Sequence, residues 1–131
     1  MNSDFLKLQK RINIRFNNLN LLKKSLTHKS FDSINSYEKL EFLGDRILGL
    51  IISEKLLEIY PEENEGSLDK KLASLVNKKK CLEIAKSINL ENYILVAKKK
   101  GNEIKIEDKI ISDACEALIG AIYLDKGLLE T

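Results

Sequence analysis

The stretch Tyr37-Glu38-Lys39-Leu40-Glu41-Phe42-Leu43-Gly44-Asp45 opens a segment that runs unbroken to Pro61, and its reading decides the fold. At about 100° per residue, Glu38, Glu41 and Asp45 fall at i, i+3 and i+7, so the three carboxylates share one stripe of a helix. Beyond them, Ile47-Leu48-Gly49-Leu50-Ile51-Ile52 is apolar on nearly every side. That pattern predicts a helix from about Tyr37 to Tyr60, buried at the centre of the domain and stopped by Pro61. Asn35, with Glu38 three residues on, reads as its capping box.

A second helix, expected from about Glu107 to Leu124 with Gly127 to end it, carries Asp113-Ala114-Cys115-Glu116. Asp113 and Glu116 again share a face, and Ala114, Ala117 and Leu118 place at least one of them close to the core. Burying carboxylates unpaired costs several kcal/mol or more, so a cation is expected between the two helices. A plainer reading is available for Glu38 and Glu41, since acids in a first helical turn stabilise the macrodipole by about 0.3 to 1 kcal/mol. It explains Glu38 well and Asp45, Asp113 and Glu116 poorly. Oxygen ligands without a His or Cys cluster favour Mg²⁺ or Mn²⁺ over zinc. Ions so held serve phosphodiester hydrolysis, and carboxylates that share them titrate together, at least one holding its proton tightly in the absence of metal.

The remaining pattern is also helical. Segments are expected at about Asp4 to Ile12, from a cap at Asn18 to about His28, from a cap at Ser67 through Leu68, Leu72, Leu75 and Val76, and from about Lys79 to Ser87. Tyr93-Ile94-Leu95-Val96 is assigned to helix or coil. Gly44, Gly49 and Gly120 lie inside helices, where each costs about 1 kcal/mol relative to Ala, so close helix approach is expected at all three. Gly44 and Gly120 sit beside the two acidic pairs, which would bring both pairs within reach of one ion.

With 131 residues, 44% apolar and 32% charged, the chain reads as one all-α domain with an aliphatic core. No apolar run reaches the ~20 residues that span a bilayer, and the first residues lack a signal-peptide pattern, so a soluble, cytoplasmic protein is expected. Cys81 and Cys115 are too isolated in sequence for zinc and read as buried reduced thiols. The net charge of +2 conceals lysine runs at 78–80 and 98–100, with Lys23, Lys24 and Lys105 besides. Such runs are either solvated faces or a surface that follows a phosphate backbone.

Glu38 to Asp45 resembles the signature motif of the ribonuclease III catalytic domain, and Leu26-Thr27-His28-Lys29-Ser30 resembles the segment that precedes it in that family. Glu65-Gly66, Ala73-Ser74-Leu75-Val76, and the stretch from Ile111 to Asp125 match as well, so the resemblance covers essentially residues 1–131. It implies an all-helical, Mg²⁺-dependent endonuclease that cuts double-stranded RNA to 5′-phosphate and 3′-hydroxyl ends in rRNA and other RNA processing. Glu41, Asp45, Asp113 and Glu116 match its metal-binding carboxylates, with Asp45 and Glu116 catalytic; Glu38 and Glu65 match supporting acids. The resemblance further implies a homodimer in which Phe42 contacts the partner subunit, and recognition of duplex RNA by shape and backbone. His28 is assigned to structural hydrogen bonding, and Lys29 with the lysine runs to phosphate contacts. The pattern is broken by Leu72, where many members carry Arg, and by Arg46 at a commonly small position. Family domains usually continue through one more helix and a separate double-stranded-RNA-binding domain; the last helix is expected to be incomplete here and that domain absent. A non-catalytic RNA- or ribosome-binding relative is the alternative, and loss of the carboxylates would mark it.

Overall fold

The computed structural model describes residues 2–97, 106–129 and 131; Lys98, Lys99, Lys100 and Lys105, assigned above to phosphate contacts, lie outside them. Six α-helices follow one another: α1 (Asn2–Ile12), α2 (Leu19–Ser25), α3 (Glu38–Ile59), α4 (Glu65–Leu75), α5 (Lys78–Ser87) and α6 (Asp108–Lys126), with a 3₁₀ turn at Leu90–Tyr93 before the last. The all-α expectation holds, and no strand occurs among the described residues. None of their helices is long and apolar enough to cross a membrane.

A buried helix does occupy the centre, but it is α6. Every residue from Ile111 to Leu118 is buried, and α3, α5 and α2 all pack on it. The small residues Ala114, Ala117, Gly120 and Ala121 permit this, because they let three helices approach the axis from different sides. Helix α3 buries Leu40, Gly44, Ile47 and Leu56, while Leu50 in its apolar middle is 52% exposed. Apolarity on all sides therefore does not bury α3 in a single chain.

Several ends differ from the sequence reading. Helix α2 stops at Ser25, and its first residue, Leu19, is exposed. Asn35 caps nothing: Asp32 Oδ1 accepts the backbone N–H groups of Ile34 and Asn35, each at 3.0 Å, and Tyr37 stands at the N-cap of α3 without a side-chain bond. The cap of α4 is Asn64, whose side chain accepts the Ser67 N–H, so Ser67 lies inside the helix it was expected to start. Asn18 and Asn77 cap α2 and α5 through the same kind of bond.

Residues 93–96 fold partly as coil, and Leu95 makes one parallel bridge with Thr27. Leu95 donates to the Leu26 carbonyl at 2.7 Å, His28 donates to the Leu95 carbonyl at 2.9 Å, and Tyr37 donates to the Thr27 carbonyl at 2.9 Å. These bonds hold the loop before α3 in place and so fix where Glu38 and Glu41 begin. At the far end of α6, Asp125 accepts from the backbone N–H groups of Asn17 and Asn18, tying the core helix to the α1–α2 loop.

Candidate metal centre

The site is built where α3 and α6 touch backbone to backbone. A Cβ added to Gly44 would lie 1.7 Å from the Glu116 carbonyl oxygen, and one added to Gly120 would lie 2.3 Å from the Leu40 carbonyl oxygen. The cost of these two glycines thus secures an approach no larger residue permits. Gly49 differs, for nothing lies within 4 Å of a Cβ placed there.

One turn before Gly44 stands Glu41; one turn before Gly120 stands Glu116, with Asp113 a turn earlier still. The helix contact consequently brings carboxylate oxygens of Glu41, Asp113 and Glu116 within 4.8 Å of one another. Asp113 and Glu116 are buried, whereas Glu41 is half-exposed at the mouth. Asp45 stands outside this group of three. Its side chain is 54% exposed, with one oxygen 3.5 Å from Arg46 Nη1, and its charge acts on Glu116. Asp45, Glu116, Lys78 and Cys81 together line a cavity of about 100 Å³.

Two lysines answer the buried charge. Lys78, the first residue of α5, places its Nζ 2.5 Å from Asp113 Oδ1 and 3.4 Å from Glu41 Oε2, and it also donates to Glu116 Oε1. Lys109, a turn before Asp113 on α6, reaches Asp113 Oδ2 at 2.8 Å. Neither contact was foreseen. A signal existed for Lys78, since α5 begins with three lysines and no acid at the positive end of its dipole.

Burial and charge set the protonation of the group. Burial raises the Glu41 pKa and the neighbouring Asp113 charge adds to it, with Lys78 opposing. Glu116 is raised for the same first reason, helped by Asp45 and opposed by Lys78. Burial works on Asp113 too, but the hydrogen bonds from Lys109 and Lys78 outweigh it and hold that carboxyl below its ordinary value. The arrangement suits a hard divalent cation: the donors are all oxygen, they converge, and an ammonium already rests among them.

Glu38 and Glu65 are not among the three converging carboxylates. Glu38, in the first turn of α3, is exposed; it joins Glu41, Asp113, Lys109, His28 and Lys29 around an open cavity of about 470 Å³. Glu65 is exposed in the first turn of α4 and takes no part in the carboxylate group. Phe42 is 62% exposed, with the Arg46 guanidinium 3.9 Å above its ring. His28 Nδ1 accepts the Ser30 N–H at 3.1 Å and lies 2.7 Å from Ser30 Oγ, a local structural arrangement. Cys81 and Cys115 are buried free thiols.

A family model described as Ribonuclease-III-like matches residues 18–131. Ribonuclease 3 of Pelagibacter ubique is 66% identical over 98% of this chain and 58% of its own length. Ribonuclease 3 of Aliarcobacter butzleri is 45% identical over 96% of this chain and 57% of its own. The chain therefore spans somewhat more than half the length of these relatives. A solved nuclease domain of ribonuclease III from Campylobacter jejuni, described as flexible in a region involved in dimer formation, superposes with a TM-score of 0.88 at 43% identity. That match covers 94% of this chain and 87% of the other.

Proposed function

We propose, from the premise that this chain belongs to the ribonuclease III family, that it is the endonuclease domain of an enzyme hydrolysing double-stranded RNA with Mg²⁺. The reaction leaves 5′-phosphate and 3′-hydroxyl ends and serves the maturation of rRNA and other RNAs, in the cytoplasm. The observation that carries this reading is the convergence of Glu41, Asp113 and Glu116 at the α3–α6 contact.

Glu41, Asp113 and Glu116 would hold the metal, with Asp45 closing the site from the Glu116 side. Bound there, Mg²⁺ supplies polarisation of a phosphoryl oxygen, activation of a water and stabilisation of the departing 3′ oxygen; Mn²⁺ can substitute. The protein does the rest. Gly44 and Gly120 fix the distance between the carboxylates, and burial of Asp113 and Glu116 keeps them in one orientation. Lys109 keeps Asp113 ionised and ready to bind. Glu38 and Lys29 border the open cavity beside the site, where a phosphate backbone would enter.

Dimerisation belongs to the same reading. Phe42, Leu50 and Leu57 leave an apolar face of α3 uncovered, at 62%, 52% and 60% exposure. Helix α4 buries no residue within the chain despite its Leu68, Leu72 and Leu75. A second copy related by a two-fold axis would cover these surfaces and set two sites against the two strands of a duplex. Glu65, on α4, would then support catalysis from that interface.

The test offers matched duplex and single-stranded RNA with Mg²⁺ at low salt. Cleavage confined to the duplex, with 5′-phosphate ends, is expected. An intact duplex at saturating protein, or equal cutting of the single strand, would overturn the assignment.

A further inference from the structure

We propose that Lys78 is the resident counter-cation of the carboxylate group, and that a divalent metal binds by displacing it. The proposal rests on the metal-site reading above and goes beyond it by assigning a competitor and a movement. Lys78 Nζ contacts all three converging carboxylates, Asp113 at 2.5 Å, Glu41 at 3.4 Å and Glu116. A divalent ion held by these carboxylates would occupy the space among them that the Lys78 ammonium now fills. An ammonium and a divalent ion cannot both sit among these carboxylates, because two cations a few ångströms apart in a partly buried site repel strongly.

Position and charge favour an exchange. Lys78 opens α5, where the helix dipole is positive and two further lysines follow, so this lysine is locally misplaced. Its three carboxylate contacts offset that cost. The side chain remains 54% exposed while Asp113 and Glu116 are nearly buried, so its flexible stem can swing to solvent without opening the core. Lys109 is held differently. From the same helix it holds Asp113 Oδ2, not the Oδ1 that Lys78 contacts, and can stay when the ion enters. The three carboxylates are then balanced by one ammonium and one divalent ion. In the metal-free protein, Lys78 offsets the repulsion between the acids of α3 and α6.

Isothermal titration of Mn²⁺ into metal-free wild type and Lys78→Met, with thermal melting in chelator, tests the exchange. Lys78→Met is expected to melt at lower temperature without metal, to bind Mn²⁺ at least tenfold more tightly, and to gain more from it. Lys78→Arg, which keeps the charge, guards against a variant that fails to fold and should bind Mn²⁺ no more tightly than wild type. In wild type, reductive methylation of the Lys78 amine should rise several-fold when Mn²⁺ is added. Equal or weaker Mn²⁺ binding by Lys78→Met, or unchanged methylation while wild type binds metal, overturns the exchange and leaves the metal site standing. Absence of Mn²⁺ binding in wild type and both variants overturns both.

Discussion

The surroundings of Glu116 favour its neutral form, although the metal-binding role proposed for it needs the ionised one. Its carboxyl holds its proton above the ordinary value of 4.5 because burial outweighs the Lys78 ammonium beside it. A group raised in this way contributes stability below its unfolded pKa and loses it as pH rises through the folded one. At pH 7 the ionised Glu116 therefore weakens the metal-free fold, a debt that a bound cation would offset. Glu116→Gln removes that ionisation, and the metal-free variant should melt above wild type at pH 7. The difference should shrink as pH falls below about 4.5. A variant that melts lower at pH 7 would count against burial as the dominant influence. The acids were legible as a set from their spacing. Their ranking was not, because spacing places Asp45 on the same stripe as Glu41 but says nothing of its 54% exposure or its separation from Asp113.

At the scale of elements, glycine separates contact from open surface. Gly44→Ala would drive a methyl group into the Glu116 carbonyl and force α3 off α6, so a loss of about 3 kcal/mol is expected in denaturant unfolding. Gly49→Ala meets nothing and should gain about 1 kcal/mol of helix propensity in dilute protein. Similar losses at both positions would contradict the contact geometry. The sequence signalled helix interiors at all three glycines, and a close approach followed at the two beside the acids. Helix type and order were likewise legible from periodicity and from Pro61. Caps were less so, because Asx and Ser residues crowd the starts of α3 and α4 and backbone geometry decides which accepts a bond: Asn64 took the role expected of Ser67, and Asp32 drew Asn35 away from α3. The buried position went to α6 because its alanines and Gly120 tolerate neighbours on several sides, a property that apolar bulk in α3 does not supply.

For the whole molecule, the uncovered faces of α3 and α4 carry the expectation of a dimer. Phe42 projects from the turn of α3 that lies between Glu41 and Asp45, so the same turn would serve metal and partner. Phe42→Ala should weaken self-association at least tenfold, or about 1.4 kcal/mol, by analytical ultracentrifugation across micromolar concentrations. Unchanged sedimentation would remove Phe42 from the interface. No pattern in one chain separates a helix face that meets its own core from one that meets a second copy, since both are apolar at helical spacing.

The proposed function requires that the carboxylates gathered by the α3–α6 contact hold a metal on which hydrolysis of duplex RNA depends. Single-turnover cleavage of a labelled duplex, by wild type and Glu116→Gln at saturating protein and Mg²⁺, tests it most directly. A rate at least 10³-fold lower in the variant, about 4 kcal/mol in the barrier, is the expected result. Equal rates would contradict it.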